Sequence, residues 1–205
     1  MPDNMKSGFK LGITGGIGSG KTSVCRVFKV LGIPFFSADP EAKFIMANDK
    51  TIMHKINTIA GKDLYSGGSL DRMELARLIF NDNTLLEKVN SLVHPVVFEH
   101  FRKWEAEQNS PYVIMEAAIL FESGAEKLVN RIATIVAPVE ERVDRVIHRN
   151  NLSREQVMER MRNQMDDDSK IKLSDYVIYN SENDMIIPAI LKIHEDILTY
   201  INSAV

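Results

Sequence analysis

Hydrophobic positions along the chain alternate between short apolar runs and longer stretches with helical spacing. Short apolar runs that are bounded by glycine, proline or polar residues are typical of buried strands. The sequence contains five such runs, at 9–14, 33–37, 112–116, 131–137 and 175–180. Because buried strands separated by helices form parallel sheets covered on both faces, this order predicts an α/β fold.

Helical spacing fills the segments between these runs. Residues 21–31 carry apolar side chains three and four positions apart, and Gly32 ends the pattern. The same spacing recurs in three later segments, 139–149, 153–165 and 184–202. Between 40 and 104 we expect several helices with one turn, at 65–71, and a new helix that begins at Pro95 because proline fits best in a first turn.

The stretch between the second and third strands is longer than a single crossover helix requires. We therefore predict one domain that consists of a core, a helical substrate-binding insertion and a lid. The core covers about 8–40, 108–137 and 173–205, the insertion about 41–107, and the lid about 138–172.

A glycine-rich segment, GITGGIGSGKTS, begins at position 12. It matches the phosphate-loop motif G-x-x-x-x-G-K-S/T, with a predicted strand before it and a helix after it. Backbone N–H groups of such a loop surround phosphate oxygens, and glycine permits their close approach. We predict that Lys21 contacts the β- and γ-phosphates of ATP and that Thr22 binds Mg²⁺. The predicted nucleotide-binding residues of the loop are Gly15, Gly16, Ile17, Gly18, Ser19, Gly20, Lys21 and Thr22.

The rest of the sequence narrows the class of phosphate-loop protein. The D-x-x-G and N-K-x-D signals that a GTPase requires are absent from the sequence. A motor or transport ATPase is usually larger than 205 residues. A small chain with a phosphate loop, a helical insertion and an arginine-rich later segment indicates a small-molecule kinase.

Two acidic residues follow predicted strands, where an open parallel sheet collects its ligands. Asp39 comes just after the second strand, where a carboxylate can position or deprotonate an attacking hydroxyl group. It also suits the N-cap of a helix that begins at Pro40. Glu116 ends the third strand, where a ligand of Mg²⁺ or water is typical, and where an ordinary strand-end residue gives the same pattern.

The segment from 142 to 162 is rich in arginine and contains no lysine; its arginines are Arg142, Arg145, Arg149, Arg154, Arg160 and Arg162. Arginine suits bidentate phosphate binding and stacking on a base. We predict a lid in which Arg145 and Arg149 contact phosphate, with a solvated helix face as the alternative for any one arginine. Val139 is expected on the buried face of this helix, and the acidic run 166–168 as a solvated connection.

Composition limits the partners and the compartment. A formal net charge of −3 gives no overall positive field for nucleic acid or an anionic membrane. Cys25 is the single cysteine, which excludes an internal disulfide and a cysteine-based zinc cluster. Residues 1–10 have no apolar segment typical of a signal peptide, and no apolar run is long enough to span a bilayer, so a cytoplasmic location is expected.

Together these features resemble the dephospho-CoA kinase family. The residues that carry the resemblance are 14–22, 37–39, Gly68, Asp71, Arg72, Leu75, Phe80, Leu92, His94, Pro95, 116–122, Arg145, Arg149, Arg160 and Gln164, with a final match at 174–181. Ser37 stands where the family has an aspartate, Glu116 where aspartate is common, and Ala118 where proline is usual. Among residues 37–39, Asp39 alone is thus left to take the role of base.

The resemblance implies a P-loop NTPase-type α/β/α fold with a five-stranded parallel sheet in the order 2-3-1-4-5. It implies transfer of the γ-phosphoryl group of ATP to the ribose 3′-hydroxyl of dephospho-CoA, with Mg²⁺, to give CoA and ADP. The residues assigned by it are Asp39, Lys21, Arg145 and Arg149 for catalysis, Arg149 and Asn180 for ATP, Asp39, Arg72, His94 and Leu120 for the acceptor, and Thr22 and Glu116 for the metal. We expect a monomer or weak homo-oligomer whose partners are these small molecules.

Two other functions fit the residues. One is a kinase for a different nucleotide or nucleoside, which an assay of ADP release across acceptors would distinguish. The other is a nucleotide-gated binding protein that changes shape without turnover. The combination of Asp39, Glu116 and the arginine-rich segment favours an enzyme.

Overall fold

The computed structural model describes residues 8–150 and 152–203, apart from the side chains at positions 80 and 81. The described chain divides into two compact units. The first consists of the residues up to Ser37 together with those from Trp104 onward, and the second is the segment 38–103.

A five-stranded parallel sheet organises the first unit. Its strands are β1 Lys10–Thr14, β2 Phe35–Ser37, β3 Val113–Glu116, β4 Arg131–Val136 and β5 Tyr176–Tyr179. Their order, β2-β3-β1-β4-β5, confirms the predicted order. In the register, Ile13 and Ser37 both pair with Glu116, and Thr14 pairs with Thr134. These residues therefore lie at one edge of the sheet, where its carboxyl ends meet.

Helices separate the strands. They are α1 Lys21–Val30, α2 Ala38–Asn48, α3 Lys50–Ala60, α4 Arg72–Asn81, α5 Asn83–Ala106, α6 Val139–Asn150, α7 Arg154–Arg162, α8 Asp167–Lys172 and α9 Ile186–Ser203, with a 3₁₀ helix at Ala125–Leu128. The core between sheet and helices is formed by apolar residues of β1, β3, β4, β5, α1 and α9, and includes Leu11, Ile13, Phe28, Ile114 and Ile190. Each of these side chains is fully buried, which is why the strands appear in the sequence as continuous apolar runs. Within the described residues, every helix is too short or too polar to cross a lipid bilayer.

The second unit corrects the prediction for Pro95. Helix α5 continues through Pro95 instead of beginning there. The helix buries a stripe of apolar residues spaced four apart, Leu85, Val89, Val93, Val97 and Phe101. Proline inside a helix costs about 3 kcal/mol, and burial of each large apolar side chain contributes roughly 1.5–3 kcal/mol. The buried stripe on both sides of the proline therefore outweighs its local cost.

Three other local predictions are wrong. Helix α2 begins at Ala38, so Asp39 lies inside its first turn and does not cap a helix that begins at Pro40. The acidic run 166–168 begins helix α8, because the Asp166 side chain accepts a hydrogen bond from the Ser169 N–H. Val139 is 45% exposed, since it occupies the first turn of α6.

Candidate active site

The phosphate loop connects β1 to α1 at the carboxyl edge of the sheet. Gly15, Gly18 and Gly20 have φ angles of 142°, 80° and 96°, a region that side chains with a Cβ rarely adopt. Gly20 is the residue directly before α1, so the loop delivers its backbone to the positive end of the helix dipole. This part of the chain therefore has the conformation of an anion-binding loop.

Two glycines of the loop lie against Arg142 of α6. A Cβ atom at Gly16 would come within 1.9 Å of the Arg142 Nη2 atom. A Cβ at Gly18 would lie 2.5 Å from the Arg142 carbonyl oxygen. Glycine at these two positions thus allows the loop to pack closely against Arg142.

The carbonyl groups of the loop are held by side chains. The Lys21 Nζ atom donates to the Gly15 and Gly16 carbonyl oxygens at 2.9 and 3.2 Å. The Asn180 Nδ2 atom donates to the Ser19 carbonyl oxygen at 2.7 Å. In a trans peptide the N–H group points away from the carbonyl of the same plane, so the Gly20 N–H faces away from Asn180. Side chains around the loop thereby fix the direction of its N–H donors.

Glu116 forms the acidic part of the site. Its Oε1 atom accepts a 2.7 Å hydrogen bond from the Thr22 hydroxyl, and its Oε2 atom accepts a 2.6 Å bond from the Ser37 hydroxyl. Glu116 is only 7% exposed, and the pairing of β2 with β3 places Ser37 directly beside it. The Glu116 carboxylate therefore joins the start of α1 to the carboxyl ends of β2 and β3.

Two buried polar atoms next to the loop lack a hydrogen-bond partner among the described residues. They are the Ser19 Oγ and Arg145 Nη1 atoms. The Arg145 Nη2 atom donates to Glu141 at 2.7 Å and to the Asn180 carbonyl oxygen at 3.0 Å, which holds the guanidinium beside the residue that contacts Ser19. Buried polar groups usually have partners. Each of these two atoms is therefore a hydrogen-bond donor left unsatisfied beside the loop by the residues that the structure describes.

The other predicted site residues have different surroundings. Arg149 is exposed, and its Nε atom donates to the neighbouring Asn150 side chain. Leu120 is fully buried, and a Cβ at Gly12 would lie 2.9 Å from its Cδ2 atom. Its position is that of a packing residue, so the predicted contact of Leu120 with an acceptor finds no support in the structure.

The predicted acceptor residues of the second unit are polar and accessible to different degrees. Asp39 is exposed and follows Ser37 by two positions in the chain. Arg72 is exposed at the first position of α4. His94 is half-buried and stacks on Phe98, with 6.2 Å between ring centroids. Burial lowers the pKa of His94 below its ordinary value, which favours the neutral imidazole.

Sequence reasoning missed two buried cations. Arg142 is 5% exposed and contacts the loop directly, as described above. Lys170 is fully buried, donates to the Ala118 carbonyl oxygen at 2.9 Å and pairs with Glu122 at 3.3 Å. It thereby fixes the chain just after Glu116. Neither contact has a signal in the sequence, because each joins residues that are far apart along the chain.

Among the residues that the structure describes, no three His, Cys, Asp or Glu side chains come together to enclose a metal ion. A site for Mg²⁺ does not need such a cage, because Mg²⁺ commonly keeps several waters and binds one or two carboxylates together with substrate phosphates. The Thr22 hydroxyl and the Glu116 carboxylate supply oxygen donors of the required kind at the end of the phosphate loop.

The parallel sheet has the strand order β2-β3-β1-β4-β5, and a phosphate loop follows its central strand. A lysine and a threonine begin the next helix, with a buried carboxylate beside them. These features together define a P-loop kinase fold. A dephospho-CoA kinase family model matches residues 9–185. The chain belongs to the dephospho-CoA kinase family.

Individual relatives agree with this assignment. A dephospho-CoA kinase of Bacteroides fragilis (strain YCH46) is 41% identical over 185 residues, which cover 90% of each chain. The crystal structure of TT1252 from Thermus thermophilus aligns with a TM-score of 0.80 and 32% identity, over 95% of this chain and 98% of that one. A dephospho-CoA kinase from Campylobacter jejuni aligns with a TM-score of 0.64 and 25% identity, over 93% of this chain and 98% of that one.

Proposed function

We propose that this protein transfers the γ-phosphoryl group of ATP to the ribose 3′-hydroxyl of dephospho-CoA, which gives CoA and ADP. The observation that carries the proposal is the arrangement of the phosphate loop, Lys21, Thr22 and Glu116 in a chain of this family. Phosphoryl transfer needs little covalent chemistry from the protein, so its residues mainly position the reactants and stabilise charge.

The loop and its surroundings fit a triphosphate. The glycine-rich backbone supplies N–H donors, with the Gly20 N–H held in a fixed direction. The Ser19 Oγ and Arg145 Nη1 atoms, which have no partner in the described part of the chain, are the proposed side-chain donors. Lys21 exchanges its bonds to the Gly15 and Gly16 carbonyls for the phosphate oxygens, because a charged acceptor binds an ammonium group more strongly than a carbonyl does. Arg149, which is exposed, joins Arg145 when phosphate is bound.

Thr22 and Glu116 are the residues that would hold Mg²⁺. When bound, the metal neutralises charge on the β- and γ-phosphate oxygens. The Thr22 hydroxyl now donates to Glu116, so its oxygen lone pairs remain free to bind a cation. Ser37 donates to the other Glu116 oxygen and keeps the carboxylate oriented toward Thr22.

Asp39 is the proposed base. It is exposed, lies in the first turn of α2 and directly follows the strand that carries Ser37. A carboxylate at this position orients the acceptor hydroxyl and takes its proton as the bond to phosphorus forms. We assign acceptor binding to Arg72, as a cation for acceptor phosphate, and to His94, as a neutral hydrogen-bonding group.

An assay of ADP release tests the proposal. The purified protein is incubated with ATP, Mg²⁺ and a panel of acceptors that contains dephospho-CoA, adenosine, AMP and shikimate. We expect turnover with dephospho-CoA and a mass increase of one phosphate on that acceptor alone. Preferential turnover of another acceptor would contradict the assignment.

Two lysine variants serve as controls. Lys21→Ala is expected to be almost inactive because it removes the cation at the phosphate loop. Lys29→Ala, which changes an exposed lysine in the last turn of the same helix, is expected to retain normal turnover. Full activity of Lys21→Ala would remove the loop from the mechanism.

A further inference from the structure

We propose that Arg142 is a positioning residue of the phosphate loop and sets the direction of the Gly18 N–H group toward the nucleotide. The inference deepens the proposed function and rests on the proposed ATP site. Arg142 is distinct from Arg145 and Arg149, because its guanidinium donates directly to a carbonyl oxygen of the loop and to Asp167.

Both ends of the guanidinium are held. The Arg142 Nε atom donates to the Ile17 carbonyl oxygen at 3.0 Å, and the Nη1 atom donates to Asp167 Oδ2 at 2.7 Å. The side chain is 6% exposed, so water provides little competition for either contact. Because the guanidinium is planar and rigid, an ion pair at one end fixes the donor at the other.

The contact with Ile17 has a consequence for the next residue. The peptide group between Ile17 and Gly18 is planar and trans, so its N–H points opposite to its carbonyl. Arg142 draws the Ile17 carbonyl outward and thereby turns the Gly18 N–H to the inner side of the loop. Without this contact the peptide plane could rotate, because Gly18, with a φ angle of 80°, is a residue type that tolerates many conformations.

Other residues of the segment 138–172 hold Ile17 as well. The Ile17 N–H donates to Gln164 Oε1 at 2.8 Å. The Ile17 side chain packs against a small apolar cluster formed by Val143, Val146 and Val157. Three kinds of contact therefore anchor Ile17 to α6, to α7 and to Gln164 just after α7, and among these contacts of the described residues Arg142 provides the cationic one.

The same contacts explain why the loop has glycine at two positions. Side chains at Gly16 and Gly18 would overlap Arg142 atoms, at 1.9 Å from its guanidinium and 2.5 Å from its carbonyl oxygen. The loop and Arg142 are thus fitted to one another, and a shorter residue at position 142 would leave the Ile17 carbonyl unpaired beside a cavity.

The test compares Arg142→Met, Arg142→Lys and Asp167→Asn with wild type. Arg154→Gln is the matched control. Arg154 lies in the same segment and forms an ion pair with Glu140, but this pair is at the surface: the Arg154 side chain is 48% exposed and the Glu140 side chain 69%. Three quantities are measured: the Kd of ATP by calorimetry, the KM values of ATP and dephospho-CoA, and hydrogen exchange of a peptide that contains residues 15–20.

We expect Arg142→Met to bind ATP about 10- to 100-fold more weakly, the loss expected for a charge-assisted hydrogen bond. The KM of the acceptor should change less than twofold, and exchange should increase in residues 15–20 without a general increase elsewhere. Arg142→Lys should recover part of the loss, and Asp167→Asn should weaken ATP binding in the same direction. Arg154→Gln should match wild type.

Unchanged ATP affinity and unchanged exchange in a folded Arg142→Met protein would overturn the proposal. If that variant does not fold, Asp167→Asn decides the question by the same two readouts, since it keeps the arginine and removes the negative charge of its partner. A purely structural role for Arg142 would also overturn the proposal. Its signs would be a rise in hydrogen exchange throughout the protein and equal increases in the KM values of ATP and dephospho-CoA. ATP binding needs no turnover, so wild-type protein that binds ATP but phosphorylates no acceptor would refute the proposed function and leave this test intact.

Discussion

The Thr22 hydroxyl donates a 2.7 Å hydrogen bond to the Glu116 carboxylate, which joins the start of α1 to the end of β3. We expect Glu116→Gln to raise the Mg²⁺ concentration for half-maximal activity by about 10- to 100-fold, because a neutral amide attracts the cation less than a carboxylate does. A titration of activity with Mg²⁺ at saturating ATP measures the effect. Ser37→Ala is the matched variant: it keeps the carboxylate, loses only one of its donors, and should shift the titration less.

A change at Asp39 should affect turnover and not ATP binding, since Asp39 is proposed to act on the acceptor. Asp39→Asn should lower kcat by ~10²–10⁴-fold while the Kd of ATP stays nearly constant. Steady-state kinetics and calorimetry measure the two quantities. Glu41→Gln removes another carboxylate from the first turn of the same helix, one that pairs with His100, and should remain close to wild type in kcat. Near-normal turnover of Asp39→Asn would exclude Asp39 as the base.

The sequence predicts the same phosphate-binding role for Arg145 and Arg149, but the structure gives them different surroundings. Arg145 is anchored to Glu141 and the Asn180 carbonyl with one buried nitrogen left over, whereas Arg149 is exposed. Arg145→Gln should therefore reduce kcat/KM for ATP by about 10²-fold, the scale of a lost charge-stabilising donor. Arg149→Gln should cost less than about tenfold, because an exposed side chain must be ordered before it binds. Equal losses would contradict the distinction.

Two glycines with similar backbone angles provide a test of packing in the loop. Gly18 and Gly32 have φ angles of 80° and 84°, but only Gly18 has a neighbour at the Cβ position, the Arg142 carbonyl oxygen at 2.5 Å. Gly32→Ala should lose about 1–2 kcal/mol of unfolding free energy from backbone strain alone. Gly18→Ala should lose more and also lose ATP binding. Urea denaturation and calorimetry give both values, and equal destabilisation of the two variants would argue against the close contact.

Stability should depend on the protonation of His94. Burial lowers its pKa below the value of about 6.5 that it has in an unfolded chain. The unfolded state therefore binds more protons as the pH falls below about 6.5, so the unfolding free energy decreases toward acid and is regained as the pH rises. His94→Gln should flatten the slope of unfolding free energy between pH 5 and 7. His148→Gln, an exposed histidine, is the control, and an unchanged slope in His94→Gln would contradict the prediction.

Burial lowers the pKa of His194 in the same direction. It therefore contributes to the slope in the same way, so His94→Gln should remove only part of the pH dependence. A double variant that also changes His194 should flatten it further. The same change removes the partner of the Tyr112 hydroxyl, which lies 2.8 Å from His194 Nδ1.

Much of the fold could be predicted from the sequence because its chemistry is local. The strands are continuous apolar runs, and glycine, lysine and threonine must stand at fixed spacing for a backbone loop to surround phosphate. The prediction for Pro95 is wrong because it uses a rule about a single residue. It takes no account of the buried apolar stripe on both sides of the proline.

Arg142 could not be assigned from the sequence. Its partners Ile17 and Asp167 are 125 and 25 positions away, and the pattern of six arginines favours a solvated helix face for any single one of them. The packing of Leu120 also has no local signal, since Leu120 lies in the turn after β3 and only the folded chain brings it against Gly12. Contacts between distant positions thus account for the parts of the site that local patterns did not contain.

The strand that precedes the phosphate loop has both of its sheet neighbours far downstream. Lys10 of β1 pairs with Val113, and Leu11 pairs with Arg131, in each case more than a hundred residues later. A nascent chain therefore leaves the ribosome with its glycine loop unsupported until β3 and β4 have been synthesised, and Asn180 emerges later still. Since pairings between such distant segments form slowly, the protein should acquire nucleotide binding only after Asn180 has been synthesised.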